Sequence, residues 1–338
     1  MEEKVFCELD PIVETMGLFY TSYNFDELKD EIIKAITDLG FDGEQFYVQN
    51  FKIFEKYINT FSKNRVTDKE DDIFFTEKDS NYFLIFLFLL VENKEWLTNQ
   101  EFLTDAIINE QIVRMSKIGI ENDFDFDTIE SLEQIIQFIE KVELEGSAKW
   151  KLLQIMQEPK KYIVQLINKV NTNLKIYESV VNEINKPLKK LLNQYLISVK
   201  SFYPLKDKLS ETSVIYPTLI FPVTQIILED RCYYGLLSGL LMTYGTNIKH
   251  SKEELLMKLK ALGDNSKLEI ITSLKTSPKY NLEIAQQLGL TPATMSHHMN
   301  ALLNCGFVDV EKKDGKVYYH LQRENMKEFV KALEQTLI

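Results

Sequence analysis

The first 249 residues contain no histidine; His250, His297, His298 and His320 all lie beyond them. Zinc is held chiefly by His and Cys, so that long region is a poor place for a zinc site. Cysteine is almost as scarce. Cys7, Cys232 and Cys305 are odd in number, far apart and form no CxxC pair. The acidic start, Met1 to Asp10, lacks a basic-then-apolar signal pattern, so reduced thiols and a cytoplasmic location are expected. The longest apolar run, Tyr82 to Val91, falls short of the roughly 20 residues a membrane span needs. It reads as a helix buried in a core, and no membrane partner is expected. P-loop, GxGxxG, GxSxG and HExxH motifs are all missing. Without histidine, an N-terminal enzyme would need carboxylate or tyrosine chemistry that no spacing supports. No catalytic residue, cofactor or metal is therefore expected. Asp123, Asp125 and Asp127 imitate a calcium loop, but its sixth position would be Thr128 and its twelfth Gln134. Glycine and glutamate are needed there, so calcium is rejected.

What is present divides unevenly. At roughly 100–200 residues per domain, a chain of 338 residues has room for two or three. The first 250 residues hold 34 of the 39 aromatic side chains. The net charge of −12 also splits: residues 251–338 carry twelve Lys/Arg and eleven Asp/Glu, a net +1, leaving −13 for the remainder. Only the C-terminal part can approach a polyanion without strong repulsion.

The N-terminal two-thirds reads as helices. Phe25, Leu28, Ile32, Ile36 and Leu39 recur at helical spacing up to Gly40. Thr98 with Glu101, and Asp127 with Glu130, resemble capping boxes, and Ser80 suits the cap of the apolar helix. From Ile163 to Tyr195 apolar residues step by four and three, as in a coiled-coil seam. That seam fits either packing within the domain or dimerisation. Pro187 predicts a kink or break near Asn185. Between Ser213 and Leu237 β-branched and aromatic residues surround Pro217 and Pro222, which exclude a helix and confine any strand to an edge. A small β-hairpin is expected there, turning at Glu229-Asp230. The polar stretch from Gly245 to Ser251 reads as a domain boundary.

Beyond it the pattern sharpens. Gly263 ends a helix carrying Leu255, Leu259 and Leu262, and Asp264 can cap the next, with Leu268, Ile271 and Leu274. Leu282, Ile284, Ala285 and Leu288 precede Gly289, and Thr291-Pro292 opens another helix. A small residue at Ala285, a turn glycine at Gly289 and a plug at Met295 have helix-turn-helix spacing. With Met295, Met299, Leu302 and Leu303 facing inward, Thr294, Ser296, His297 and Asn300 face outward, with Ala293 near the start. Such a helix enters the major groove, where hydroxyl, amide and imidazole groups read base edges. His298 fits a partly buried packing role better. After Cys305-Gly306 the period turns to strand. Phe307, Val308 and Val310 form one strand, and Val317, Tyr318, Tyr319 and Leu321 another, joined through Lys312-Lys313-Asp314-Gly315-Lys316. Lys312, Lys313 and Lys316 can reach phosphates from this wing. A last helix with Met326, Phe329, Val330, Leu333 and Leu337 on one face has no core left to cover within so small a module, and is expected to pair with a second copy or dock on the N-terminal domain.

The expected fold is therefore mainly α. A helical N-terminal domain (1–248) carries the β-hairpin near 213–237, and a C-terminal winged helix-turn-helix of α+β type follows (251–338). Leu259-Lys260-Ala261-Leu262-Gly263-Asp264, then Lys267-Leu268-Glu269-Ile270, resemble the opening of the ArsR (arsenic-repressor-like) family. Thr294-Met295-Ser296-His297-His298-Met299 and Gly306-Phe307-Val308 resemble its recognition helix and first wing strand. The resemblance covers about 80 residues. It implies a homodimeric repressor of transcription on a double-stranded, inverted-repeat operator, with Thr291, Ala293, Thr294, Ser296, His297, Asn300 and the three wing lysines at the DNA. Metal-sensing members carry a cysteine pair where this chain has Asn281-Leu282-Glu283-Ile284-Ala285-Gln286-Gln287, so metal sensing at that place is not expected. The proline-punctuated region is weakly similar to the N-terminal part of larger ArsR-like regulators. The N-terminal domain then senses a small-molecule effector, apolar or cationic by its aromatic and acidic composition, or drives assembly. Two other classes stay open: an interaction module that uses the winged helix on a protein, and an enzyme fused to a DNA-binding domain.

Overall fold

A computed structural model describes residues 5–38, 41–68, 71–117, 129, 131–209, 214–228, 231–241, 252–290, 292–313 and 316–338. Gly40, Asp123, Asp125, Asp127, the Glu229-Asp230 turn and the Gly245–Ser251 boundary thus lie outside the described residues. The contacts group the chain into two units, one of Leu9–Asp26 and Ile53–Leu188, the other of Met1–Glu8, Glu27–Lys52 and Lys189–Ile338.

The first unit is helical. It holds α1 (Pro11–Tyr23), most of α4 (Lys52–Asn64), α5 (Asp71–Phe74), α6 (Ser80–Glu92), a 3-10 turn (Lys94–Leu97), α7 (Asp105–Lys117), α8 (Leu132–Lys141), α9 (Gly146–Gln157) and the start of α10 (Pro159–Leu209). Asp10 caps α1 by accepting from the Ile12 and Val13 N–H groups, with Pro11 at the first helical position, where it gives up no needed donor. The apolar run forms α6 and is buried on almost every side, as a core helix must be. The aromatic surplus goes largely into this core. Phe19 stacks on Phe75 at 4.8 Å and meets Phe61 edge-on at 5.2 Å, while Phe74 and Tyr82 both meet Phe86 edge-on. Glu14 is fully buried and accepts from Tyr57 Oη at 2.9 Å. Burial and that neighbouring carboxylate push the Tyr57 phenol well above its ordinary range.

Two expected helix starts move. Asp79, not Ser80, caps α6, because its carboxylate reaches the N–H groups of Asn81 and Tyr82. Thr98 follows the 3-10 turn instead of opening a helix, and Thr104 Oγ1 accepts from Ile107 N–H at the start of α7. The capping box before α8 is Ser131 with Gln134. The break expected at Pro187 is absent, since α10 runs unbroken through it. A proline inside a helix costs about 3 kcal/mol. Burial of Ile184, Leu188, Leu191 and Tyr195 on its flanks offsets that loss. The seam from Ile163 is thus covered by the chain itself, which favours packing over dimerisation through these residues. The two units divide at Leu188 and Lys189, one residue past the proline.

The second unit contains α2 (Phe25–Asp38), α3 (Gly43–Asn50), the end of α10, a small sheet and the C-terminal module. The expected hairpin is present and gains a third strand. β2 (Gln225–Ile227) and β3 (Arg231–Gly235) are antiparallel, but β1 (Val214–Thr218) pairs with β3 in parallel, giving the order β1-β3-β2. Pro217 sits on the edge strand β1, as its missing N–H requires. Val5 bridges to Ile215, and Phe6 stacks on Tyr216 at 4.5 Å. This chain-terminal contribution has no local sequence signal. Among the described residues no helix is long and apolar enough to cross a membrane.

Candidate nucleic-acid interface

Five helices and three strands build the C-terminal module: α11 (Lys252–Leu262), α12 (Asn265–Leu274), β4 (Lys279–Tyr280), α13 (Asn281–Leu288), α14 (Pro292–Asn304), β5 (Val308–Lys313), β6 (Lys316–Leu321) and α15 (Arg323–Leu337). Its core gathers Ala261, Ile270, Ile271, Leu274, Ile284, Ala285, Met295, Met299, Leu302 and Phe307. Met295 and Met299 are fully buried, as a plug between crossing helices has to be.

Local chemistry sets each junction. Asp264 caps α12 by accepting from Lys267 N–H at 2.9 Å. Partial burial would raise its carboxyl pKa, but that hydrogen bond, the Lys267 ammonium and His298 together hold it below the usual value. Lys267 is buried and His298 half-buried, so His298 takes the packing role expected of it. At the turn, Gly289 has φ +66°, a left-handed conformation that costs other residues energy, and Leu290 N–H returns to Ala285 O. Lys279 Nζ donates to Ser273 Oγ at 2.8 Å and to Gln287 Oε1 at 2.7 Å, and Ser273 Oγ also donates to Gln287. This polar knot ties α12, β4 and α13 together where sequence reasoning placed nothing.

On α14, Met295, Ala301 and Leu302 are buried whereas Thr294, Asn300 and Asn304 are exposed. One face of the helix is therefore spent on the core and the other is left open. Ala293, Ser296 and His297 are helical residues of α14. Thr291 lies outside the described residues, as do the side chains of Ala293, Ser296, His297, Lys312, Lys313 and Lys316. The backbone places the wing lysines at the strand ends, with Lys312 opposite Val317 and Lys313 opposite Lys316. Two residues join the strands, as the Asp314-Gly315 dipeptide predicts. The two-residue β4 is a third strand that sequence reasoning missed. It pairs Tyr280 with Tyr318 of β6, and the two rings meet edge-on at 5.9 Å.

α15 corrects the expectation that it has no core to cover. Phe329 is buried against Phe307 at 5.4 Å, and Met326 and Leu333 pack on the same core. Asn325 Nδ2 and Arg323 Nη2 donate to Gly306 O and Lys275 O, pinning the start of α15 to the module. Val330 and Leu337 stay exposed.

Three helices and the first half of a wing strand, in this order, decide the comparison. Residues 264–310 match the family described as bacterial regulatory protein, arsR family. The matched segment runs from the Asp264 cap through α14 to Val310, so it contains the exposed face of α14. No curated protein matches the chain. Among the described residues, no group of three or more His, Cys, Asp or Glu side chains is placed to hold a metal ion.

Proposed function

We infer that the protein is a cytoplasmic, DNA-binding regulator of transcription, acting as a homodimeric repressor on an inverted-repeat operator. The observation that carries the reading is the arsR-family match across a helix-turn-helix whose second helix leaves one face exposed. α14 reads bases through Thr294, His297 and Asn300, with Thr291, Ala293 and Ser296 beside them. Lys312, Lys313 and Lys316 contact phosphate. The aromatic N-terminal region senses an effector, and no catalytic step enters the account. Val330 and Leu337 supply apolar surface that a second copy would cover.

The experiment selects duplex DNA from a random pool with the full-length protein, then measures affinity against salt. Specific DNA should bind at least about 10³-fold more tightly than random duplex, with log affinity falling linearly in log salt. Two chains should occupy each inverted repeat. Equal affinity for selected and random duplex would overturn the reading, and one chain per site would remove the dimer.

A further inference from the structure

Within the first unit, a cavity of about 190 Å³ lies between α10 and Val66, Asp68, Phe74 and Phe75. Its apolar wall is Val66, Phe74, Phe75 and Leu166. Phe74, Phe75 and Leu166 are almost fully buried. Two observations separate this space from an ordinary packing gap. Gln165 lines it, and its Oε1 is buried without a hydrogen-bond partner. A buried acceptor left unpaired costs about 1–3 kcal/mol, which a donor entering the cavity would recover. The second is the way the outer wall is held. Val66 N–H donates to Asn173 Oδ1 at 2.9 Å, and Asn173 Nδ2 donates back to Val66 O. One turn earlier on α10, the buried Lys169 ammonium pairs with Asp68. These contacts fix Val66 and Asp68 in place against α10 at the edge of the cavity.

We propose that this cavity binds a compact, neutral aromatic molecule bearing one hydrogen-bond donor, such as a phenol. The ring lies against Phe74 and Phe75, and its O–H donates to Gln165 Oε1. Size supports a single ring, because an engineered apolar cavity of about 150 Å³ accepts benzene. Charge supports a neutral ligand. Asp68 balances Lys169, so a carboxylate would have to displace Asp68 and an ammonium would face Lys169. The proposal deepens the sensor part of the function above and rests on it only for what binding does to DNA affinity.

The test uses the full chain without DNA, with phenol, toluene and benzoate as probes in calorimetric titrations. Phenol should bind saturably, one per chain, and at least about tenfold more tightly than toluene, with benzoate weakest. Gln165→Leu should erase the preference of phenol over toluene. Thr172→Trp, at an exposed position on the cavity rim, should abolish binding of both while circular dichroism stays unchanged. Absence of saturable phenol binding, benzoate binding best, or phenol binding undiminished in Thr172→Trp would each overturn the assignment. In that last case the ligand sits elsewhere, so this cavity fails while the sensor reading survives. A protein that binds phenol here yet keeps the same operator affinity with and without it would retain the site and lose the sensor reading.

Discussion

Replacing Gly289 by alanine isolates the backbone energy of the turn between α13 and α14. A Cβ built on Gly289 meets no atom within 4 Å, so there is no clash to confuse the result. What is left is the left-handed φ of +66°. For an L residue that conformation costs about 1–2 kcal/mol. Alanine also lowers the entropy of the unfolded chain, which offsets about 0.4–1 kcal/mol. The net loss should be about 1 kcal/mol. Gly306 has the same backbone problem at φ +68°, and there a Cβ would lie 3.2 Å from Asn325 Nδ2. That amide donates to Gly306 O at 2.8 Å, so Gly306→Ala adds roughly the 0.5–1.5 kcal/mol of a displaced hydrogen bond.

Native-state hydrogen exchange on the full chain reads these local losses directly. Since 1.4 kcal/mol is tenfold, amides of α13 and α14 should exchange about fivefold faster in Gly289→Ala. Those of β5 and β6 should exchange about tenfold or more faster in Gly306→Ala. Asparagine tolerates the left-handed region, so Gly289→Asn should recover part of the loss. Unchanged or slower exchange in Gly289→Ala would show that backbone strain at this turn does not set the module's stability.

His297→Ala should relax sequence preference by about 1–3 kcal/mol, the value of one good base contact. If affinity for selected and random DNA falls equally, His297 is not a reader. Converting Lys312, Lys313 and Lys316 together to alanine should weaken binding on all sequences and flatten the salt slope by up to about 0.9 log units per lost contact; an unaltered slope removes the wing. Met295→Ala should destabilise the module by about 2–5 kcal/mol through the void it leaves, read as a loss of chemical stability in urea titrations. Asp264 has a folded pKa below its unfolded value of about 3.9, so its capping contribution is complete at neutral pH. That contribution disappears as pH falls through the folded value. Asp264→Asn should flatten the acid limb of α12 stability measured by hydrogen exchange, and an identical acid limb would refute the cap's charged role.

Legibility in the sequence followed the range of the interactions. The helix-turn-helix was readable because its determinants are local: Asp264 before α12, Gly289 after α13 and the buried Met295 all act within a few residues of their partners. The wing register was readable for the same reason, since a two-residue turn fixes every pair in β5 and β6. The parallel pairing of β1 with β3 was not readable. Both strands look alike to a period-2 reading, and the parallel choice depends on how the connection returns. Val5 and Phe6 joining Ile215 and Tyr216 involves some 210 residues of separation, for which no spacing rule exists. The misplaced caps at Ser80 and Thr98 have a simpler origin. Asp, Ser and Thr are nearly equivalent cap residues, so neighbouring candidates cannot be ranked without the backbone.

The aromatic surplus shows where composition misleads and geometry corrects it. By count, 34 aromatics beside a charge of −13 suggested a pocket for an apolar or cationic ligand. Many of the rings in the first unit's core are instead paired with one another, as Phe19 is with Phe61 and Phe75. Phe74 and Phe75 also border a cavity, and its Lys169 is paired with Asp68. A cationic ligand thus loses the support that composition lent it, because the carboxylate lining that cavity is already paired with Lys169. What distinguishes a binding site here is not the number of rings but one unpaired acceptor, Gln165 Oε1, on the lining of a cavity whose edge is fixed to α10.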